Sequence, residues 1–456
     1  MPIGVAEWTR VVGHIGCMIQ SPMESIVLER ALARGRANAA PVSARRIVVT
    51  GMGIVAPSGI GADALWTALR RGDSAVQPIT RFDVSRYPVR IAAEVPDFRP
   101  RQFMTALKAR TASRFCQLTI AASRLAVEDA GVPVNALASL DAGLFLGTSA
   151  GPAQVGEDQS ALFREHGPGG VHRTLPFTLS PHSASAMAAS EFGILGPIVT
   201  LSSECPAGLD AIVAGARQIA AGALDVAVVG GADAPLSPIL FAGFARSGVL
   251  AESNEEPRRA SRPFDRQRGG FVLGEGGAML VIEERTRALA RGARIYGELL
   301  GFGAGRDRPT YVGDQSPTGR AFLLAAASAL AEADLGPGEV DHVSAHAPGV
   351  PMTDLAELRA LHALFAGGRG RPAVTSIKGA LGHPLAAAGV LQTAAALLAM
   401  RDGVAPPTTN CDDLDPECTL DVVRGRERRT PLRTTLVTAH GFGGNSTALV
   451  VGRDRP

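Results

Sequence analysis

The sequence has few charged residues and almost no net charge. Charged side chains make up 19% of the 456 residues, against about 25% in a typical soluble domain. Lys and Arg number 45 and Asp and Glu 43, so the formal net charge is +2. Proteins that bind nucleic acid or anionic membranes through their overall charge carry a larger basic excess. We therefore expect neither of these partners.

Aromatic residues and cysteines are also scarce. Aromatics are 5% of the chain, too few to suggest a platform for stacked bases. The 5 cysteines are scattered and odd in number, which argues against a disulfide framework and favours a reducing, cytoplasmic compartment. No apolar run approaches the roughly 20 residues of a membrane-spanning helix, and the N-terminus lacks the segments of a secretory signal. The sequence predicts neither a membrane span nor export.

Residues 1–44 differ in character from the rest of the chain. Residues 23–34 have apolar positions at helical spacing, and residues 36–43 have the composition of a linker. We expect a flexible extension, or a start codon assigned too early. A helix that docks on a partner is the alternative.

From residue 46 onward, strand-like apolar runs alternate with longer helical stretches. This alternation predicts an α/β layered fold with largely parallel strands. The first predicted strand covers residues 46–50 and ends where Gly51 and Gly53 begin a loop. Residues 117–131 have the periodicity of a helix, and residues 226–229 are typical of a strand buried on both faces.

The same rhythm of strands and helices begins again near residue 295. We therefore expect two similar αβ halves, at residues 45–294 and 295–456. The similarity between the halves is one of pattern and not of residues.

A cysteine lies where a predicted strand meets a predicted helix. Residues 198–203 are rich in β-branched residues, and residues 209–219 have the apolar spacing of a buried helix face. Pro206 suits the first turn of a helix, because its missing N–H is not needed there. Cys205 would then lie at a helix N-terminus, where the partial positive charge lowers the pKa of a thiol and favours a nucleophilic thiolate. A buried cysteine that fills a small space is the alternative.

Two histidines and a lysine form a second group of candidates. His346 follows a predicted strand at residues 340–345, and Lys378 and His383 lie close together in a stretch rich in glycine and alanine. An unpaired ammonium is costly to bury, so we expect Lys378 to pair with a carboxylate. The two candidates are Asp354 and Glu357. Taken singly, each histidine fits a structural role as well as a catalytic one.

A glycine-rich stretch, AHGFGGNS, precedes the last predicted strand. It contains Phe442, Gly443 and Gly444. Glycines in such a loop allow backbone N–H groups to face a developing oxyanion.

Four motifs together carry a resemblance to a known family: RIVVTGMGIVAPSGIG, SSECPAGLDAI, RPFDRQRGGFVLGEGG and SIKGALGHPLAAAG. They resemble the β-ketoacyl-acyl-carrier-protein synthases, the condensing enzymes (ketosynthases) of fatty acid and polyketide synthesis with the thiolase fold. The likeness extends from about residue 46 to the C-terminus. The order and spacing of Cys205, His346, Lys378 and His383 are similar to the family's Cys-His-Lys-His set. The likeness is greatest to the elongating fatty acid synthases and the discrete bacterial polyketide ketosynthases.

The resemblance implies a layered αβαβα arrangement and a role for each catalytic candidate. Cys205 would accept an acyl chain from the phosphopantetheine arm of an acyl carrier protein. His346 and His383 would assist the decarboxylation of a malonyl thioester and stabilise the enolate that results. Lys378 would order the site electrostatically, through Glu357 and also Asp354.

The resemblance also implies the oxyanion hole, the pocket gate and the partners. The backbone N–H groups of Cys205 and Phe442 would form the oxyanion hole. Phe442 would gate the acyl pocket, with Gly443 and Gly444 allowing it to swing. No metal and no organic cofactor is implied, because the pantetheine arm arrives with the substrate. The family further implies a homodimer, or a heterodimer with a related ketosynthase-like subunit.

Several positions depart from the family's pattern. Pro348 and Val350 stand where the family has threonines whose hydroxyls contact pantetheine. Glu204 replaces a small residue before the cysteine, where an inward-facing carboxylate would oppose thiolate formation. His440 replaces a phenylalanine, and Ser446 replaces an asparagine. We interpret these changes as a specialisation of substrate binding.

Decarboxylative condensation is the function that the sequence favours, and two alternatives stay open. One is an acyltransferase or thioester hydrolase that is acylated on Cys205 without elongating the chain. The other is a non-elongating subunit of a heterodimer, although subunits of that kind usually lack the cysteine. A thiolase acting on coenzyme A is disfavoured, because AHGFGGNS lacks the second cysteine that thiolases use.

Overall fold

The computed structural model describes residues 45–132, 137–138, 141–307, 318–366 and 371–454. The extension predicted at residues 1–44, with its helix at residues 23–34, lies outside the described residues.

The strands, in chain order, are β1 (Ile47–Ala56), β2 (Gly59–Ile60), β3 (Gln77–Pro78), β4 (Ile91–Ala92), β5 (Ala142–Gly147), β6 (Ile198–Leu201), β7 (Val226–Asp233), β8 (Gly276–Glu284), β9 (Gly297–Arg306), β10 (His342–Ser344), β11 (Ala373–Thr375), β12 (Val404–Ala405), β13 (Asp421–Val422), β14 (Arg428–Arg429), β15 (Thr434–His440) and β16 (Asn445–Gly452).

The α-helices, again in chain order, are α1 (Ala62–Arg71), α2 (Ala106–Thr111), α3 (Arg114–Asp129), α4 (Ala153–His166), α5 (Leu175–Thr178), α6 (Ser183–Phe192), α7 (Ala207–Ala220), α8 (Pro238–Arg246), α9 (Arg285–Ala290), α10 (Arg320–Glu332), α11 (Pro351–Phe365), α12 (Lys378–Leu381) and α13 (Ala386–Asp402). No helix in the described ranges is long and apolar enough to cross a membrane.

Ten of the twelve strands of the main sheet form two sets with the same order, while β13 pairs with β11 and β2 pairs with β1. The first set runs β1, β8, β7, β5, β6, and the second runs β9, β16, β15, β10, β11. In each set the first two neighbouring pairs are antiparallel and the next two are parallel. A short pairing of β1 with β9 joins the sets. The two similar halves are therefore confirmed, whereas their limits at residues 45–294 and 295–456 stay a prediction.

The expectation of largely parallel strands is wrong, since the sheet is mixed. The reason is visible where β15 returns into β16 through a turn of only a few residues. Such a turn forces neighbouring strands to run antiparallel, because a parallel pair needs a crossover connection. The buried strand predicted at residues 226–229 is confirmed as β7, which is buried along its whole length.

Helices cover both sides of each set and give the five-layered arrangement. α3 and α6 pack on the outer face of the first set, and α10 and α11 pack on the outer face of the second. α7 and α13 lie between the two sets within one apolar core. α13 is buried on all sides from Ala386 to Met400, as expected for a helix that is apolar all round.

The two central helices approach each other most closely at Gly208. A Cβ atom at this position would lie 2.1 Å from the backbone oxygen of Ala386. Only glycine leaves room for this contact. Gly208 thus serves the packing of α7 against α13.

β1 continues through the glycines that were expected to end it. A Cβ atom on Gly51 would lie 2.3 Å from Ala126 O, and one on Gly53 would lie 1.9 Å from Ala122 O. Both oxygens belong to α3, which packs across the strand. The glycines therefore mark a close strand–helix contact and not a turn, and a bulge between Val49 and Gly51 absorbs the irregularity.

Candidate active site

One small cavity collects four of the predicted site residues. Cys205, His346, His383 and Phe442 line a space of about 20 Å³. The side chains of the cysteine and both histidines are almost fully buried. The remaining lining residues are Phe271, Pro348, Val350, Thr353, His440 and Gly441.

The strand ends explain why these residues meet. Cys205 follows β6, His346 follows β10, and His440 is the last residue of β15. β10 and β15 are parallel neighbours, so their carboxyl ends lie at the same edge of the sheet. This edge is the usual location of sites in open α/β sheets.

The turn that carries Cys205 is tight. Glu204 has a left-handed backbone with φ of 61°, and α7 begins at Ala207 with Pro206 as its N-cap. Cys205 therefore lies just outside the first turn of the helix. Glu204 reaches the surface, although its carboxyl group is partly shielded from solvent.

The pKa of the Cys205 thiol is raised, which corrects the expectation of an activated thiolate. Burial is the main cause, the charge of Glu204 adds to it, and the charge of Lys378 opposes it. The desolvation of a thiolate in this closed cavity thus has a larger effect on the pKa than the partial positive charge of the helix N-terminus. The pKa of Glu204 is raised as well, by desolvation and then by Asp233.

The two predicted histidines face each other edge to face. Their ring centroids are 5.4 Å apart with an interplanar angle of 81°, and Phe271 packs against His383 in the same way. Burial lowers the pKa of both imidazoles well below the usual value, and the charge of Lys378 lowers it further. Both rings are therefore neutral at pH 7.

Lys378 lies behind His346. Its Nζ donates to the backbone oxygen of His346 and, at 3.1 Å, to Oε1 of Gln392. Within the described chain it forms no ion pair with Glu357 or Asp354, so the expected direct pairing is wrong. Burial lowers the pKa of Lys378 to about 8, while Glu357 raises it.

Glu357 holds the backbone of His346 from the other side. Its Oε1 accepts hydrogen bonds from His346 N at 2.9 Å and from Thr438 Oγ1 at 2.5 Å. Its Oε2 accepts from Ala347 N at 2.7 Å. Glu357 therefore binds the N–H of His346 while Lys378 binds its carbonyl.

Asp354 serves a different loop. Its carboxylate accepts from Phe264 N at 2.9 Å and Gly349 N at 3.0 Å, and lies 3.6 Å from Nε of Arg268. Burial raises the pKa of Asp354 to about 7. Asp354 thus braces the loop around Gly349 and not the lysine.

The glycine-rich loop forms the turn between β15 and β16. Gly443 and Gly444 have φ of 89° and 80°, which glycine adopts without strain. Phe442 is half-buried, with its ring centroid 6.4 Å from that of Phe244. In the described residues, the backbone N–H groups of Cys205 and Phe442 donate to no other residue.

Sequence reasoning missed Gln392, which lies in α13. Its Nε2 donates to the backbone oxygens of Ser344 at 2.9 Å, Ala345 at 2.9 Å and Thr438 at 3.2 Å. Gln392 therefore joins Lys378 to the ends of β10 and β15. The feature of the sequence that could have identified Gln392 is an amide side chain in a helix that has no polar face.

Asp233, at the end of β7, was also missed. Its carboxylate accepts from Thr148 Oγ1 at 2.6 Å, Ala150 N at 2.8 Å and Ala386 N at 2.9 Å. It therefore fixes the start of α13, close after His383. The signal was a lone aspartate ending an apolar strand.

The described residues contain no group of three or more His, Cys, Asp or Glu placed to hold a metal ion. Cys116, Cys205, Cys411 and Cys418 are all free thiols.

Comparison with known proteins gives the same family over nearly the whole chain. Residues 44–288 match the beta-ketoacyl synthase N-terminal domain, and residues 296–412 match its C-terminal domain. The 3-oxoacyl-(acyl-carrier-protein) synthase 2 of Synechocystis sp. is 36% identical over 408 residues, covering 89% of this chain and 97% of the relative.

Two further relatives are a subunit of a polyketide synthase and a ketosynthase/chain length factor. The ketoacyl synthase alpha subunit of the tetracenomycin polyketide synthase of Streptomyces glaucescens is 37% identical, covering 90% of this chain and 98% of the relative. The solved ishigamide ketosynthase/chain length factor superposes with a TM-score of 0.84 at 32% identity, covering 91% of this chain and 100% of the other. The chain belongs to the β-ketoacyl synthase family of condensing enzymes, with the thiolase fold.

Proposed function

We propose that this enzyme performs decarboxylative condensation between an acyl group on Cys205 and a malonyl thioester of an acyl carrier protein. The observation that carries this proposal is the single cavity shared by Cys205, His346 and His383. Together these residues supply a nucleophile and two neutral hydrogen-bond donors.

In the first step, the Cys205 sulphur attacks the thioester carbon of the acyl carrier. The bond from that carbon to pantetheine sulphur breaks, and the proton of the Cys205 thiol passes to the departing thiolate. The N–H groups of Cys205 and Phe442 stabilise the tetrahedral oxyanion, since they have no competing acceptor in the described residues.

In the second step, the malonyl thioester loses carbon dioxide. The electron pair of the broken C–C bond forms an enolate, whose oxygen accepts hydrogen bonds from His346 and His383. Their lowered pKa values support this role, because neutral imidazoles donate without transferring a full proton. The enolate carbon then attacks the acyl thioester, the C–S bond to Cys205 breaks, and the Cys205 thiolate takes up a proton from the solvent.

Lys378 and Glu357 act as positioning residues. They hold the two ends of the His346 main chain, through its carbonyl and its N–H. We propose no metal or organic cofactor, because the imidazoles and backbone N–H groups supply the stabilisation that the enolate and oxyanion need. The pantetheine arm arrives with the substrate.

Phe442 is proposed to gate the acyl pocket. The cavity of about 20 Å³ holds no acyl chain, so the half-buried Phe442 ring would have to move. Gly443 and Gly444 support this movement, because glycine adopts many backbone conformations at little steric cost.

The enzyme is proposed to form a dimer through β6, with a second copy or with a related ketosynthase-like subunit. β6 ends the sheet and, in the described chain, pairs only with β5. Leu195 is 79% exposed and Val199 on β6 is 36% exposed. An open apolar strand edge is a ready template for pairing with another chain.

Sedimentation analysis of the purified chain tests the dimer. A dimer of the chain alone indicates a homodimer, and a monomer that associates only with the related subunit indicates a heterodimer. Val199→Lys is expected to weaken either assembly, whereas the control Leu289→Lys, on the exposed side of α9, is not. A Val199→Lys protein that assembles as well as wild type contradicts this interface.

A non-elongating acyltransferase or hydrolase is the second candidate. Pro348 and Val350 favour it, because both line the cavity and neither offers a side-chain donor to a second carrier arm.

The reducing, cytoplasmic compartment stays part of the proposal, supported by the four free thiols of the described residues.

Intact-protein mass spectrometry separates these functions. The protein is exposed to acyl carrier, with and without malonyl carrier, and carbon dioxide is measured in parallel. Acylation that requires Cys205, followed by carbon dioxide release and an elongated product, supports condensation. Acylation without carbon dioxide indicates the second candidate. Cys205→Ala must abolish loading, whereas Cys116→Ala, a buried thiol on α3, serves as the matched control.

A further inference from the structure

A third imidazole lies in the cavity, and the proposed condensation leaves it without a role. His440 is 6% exposed and lines the same space as Cys205, His346 and His383. The ring centroids of His440 and His346 are 6.4 Å apart, with an interplanar angle of 68°.

The His440 ring is held on two sides. Its Nδ1 lies 2.7 Å from Oγ of Ser446, directly across the β15–β16 pair. One ring face stacks on Phe322 at a centroid distance of 4.6 Å. Because Ser446 engages Nδ1, Nε2 is the polar atom that His440 can offer to a molecule in the cavity.

His440 is uncharged at neutral pH, because burial lowers its pKa to about 4. The facing ionisable groups are His346 and, beyond it, Lys378. A neutral imidazole held in one orientation can present a fixed donor or acceptor, depending on which way the hydrogen bond to Ser446 points.

The wall beside His346 has the opposite character. Pro348 and Val350 follow His346 in the chain and line the cavity without a polar side-chain atom. Phe322 contacts both His346 and His440, so the third imidazole lies on the His346 side of the cavity. A polar molecule that reaches His346 therefore finds a hydrogen-bonding group at His440 and none at residues 348 and 350.

We propose that His440 is a substrate-binding residue for the malonyl thioester, hydrogen-bonding its polar thioester end through Nε2, with Ser446 as the positioning residue that orients the ring. This inference rests on the proposed condensation. It assigns to His440 the extender substrate, which reacts at His346, and not the acyl chain carried by Cys205.

Steady-state condensation kinetics with malonyl carrier test the proposal. His440→Phe preserves an aromatic ring against Phe322 and removes the hydrogen bond. KM for malonyl carrier is expected to rise about three- to tenfold, as for the loss of one hydrogen bond. The rate of Cys205 acylation, followed by intact mass, should change less than this.

The Ser446 variants separate positioning from packing. Ser446→Ala is expected to raise the same KM, and Ser446→Thr, which keeps a hydroxyl group, is expected to raise it less. The double variant of Ser446→Ala with His440→Phe should have the same KM as His440→Phe alone. An unchanged KM in His440→Phe, or an equal loss of acylation, overturns the proposal. Absence of any condensation by the wild-type enzyme overturns the proposed function together with it, so the two failures are distinguishable.

Discussion

Lys378 donates a hydrogen bond to the backbone carbonyl of His346 and does not form an ion pair with a carboxylate of the described residues. Its cation therefore acts on the site through the main chain of a catalytic candidate, in addition to the effect of its charge on the pKa values of His346 and His383. This geometry links the protonation of a buried lysine to the position of an imidazole.

The first prediction concerns the pH dependence of decarboxylation. Because the pKa of Lys378 is about 8, its charge disappears as the pH rises through that value. We expect the rate of carbon dioxide release to fall above about pH 8. The Lys378→Met variant should release carbon dioxide about 100-fold more slowly, because a small displacement of a catalytic group costs about this much in rate. Its rate should also lack the decrease above about pH 8. An identical decrease in the variant would assign the titration to another group.

The second prediction concerns stability, which should rise with pH where the rate of carbon dioxide release falls. The pKa of Lys378 is about 8 when folded and has the ordinary, higher lysine value when unfolded, so the unfolded chain binds more protons between these values. The wild-type free energy of unfolding should therefore rise with pH across that window, relative to Lys378→Met. Urea titrations at several pH values measure this difference, and parallel curves for the two proteins would contradict it.

The third prediction concerns Glu204. Its charge is the second largest cause of the raised pKa of the Cys205 thiol. Glu204→Gln should lower that pKa and increase the rate of alkylation by iodoacetamide, by up to about tenfold for one pKa unit. Glu256→Gln, at an exposed carboxylate, is the control and should leave the rate unchanged. A variant that reacts no faster than wild type refutes the effect.

The fourth prediction concerns Gln392. Gln392→Leu leaves the carbonyl oxygens that it binds, and Nζ of Lys378, short of a partner in the buried core. We expect the free energy of unfolding to fall by about 2–3 kcal/mol. Thr393→Val is the matched control, because in the part of the chain that the structure describes the Thr393 hydroxyl donates only to Gly389 O, within α13. It should cost about 1 kcal/mol or less. Equal losses in the two variants would show that Gln392 has no special role.

The fifth prediction compares two helical glycines. Gly208→Ala places a Cβ atom 2.1 Å from Ala386 O and should cost about 3 kcal/mol or more. Gly243→Ala, in α8, meets no atom within 4 Å and should stabilise the protein by about 0.5–1 kcal/mol. Thermal unfolding of both variants tests whether packing or helix propensity governs each site.

Local signals sufficed for the residues that end strands. Cys205 and His346 were recognisable because a strand-to-helix junction or a strand end is encoded by neighbouring residues. His383 was recognisable only through the resemblance of its glycine- and alanine-rich motif to the family. The partners of Lys378 were not, because Gln392 is in a different helix and reaches the site only through the fold. The glycines of β1 were misinterpreted for a similar reason, since what they accommodate is the distant backbone of α3.

The thiol pKa was misjudged because the sequence showed a helix start but not the closure of the cavity around Cys205. Likewise, the sequence marked His440 as unusual, but only the fold places it beside His346.

The repeated strand order has a consequence for assembly of the site. Cys205 follows β6 in the first set, whereas His346, His383 and His440 belong to the second. The nucleophile and the imidazoles therefore become neighbours only after the two sets have docked around α7 and α13. Catalytic activity thus reports the completed association of the two halves, and a chain in which each half is folded but undocked would be inactive with every catalytic residue present.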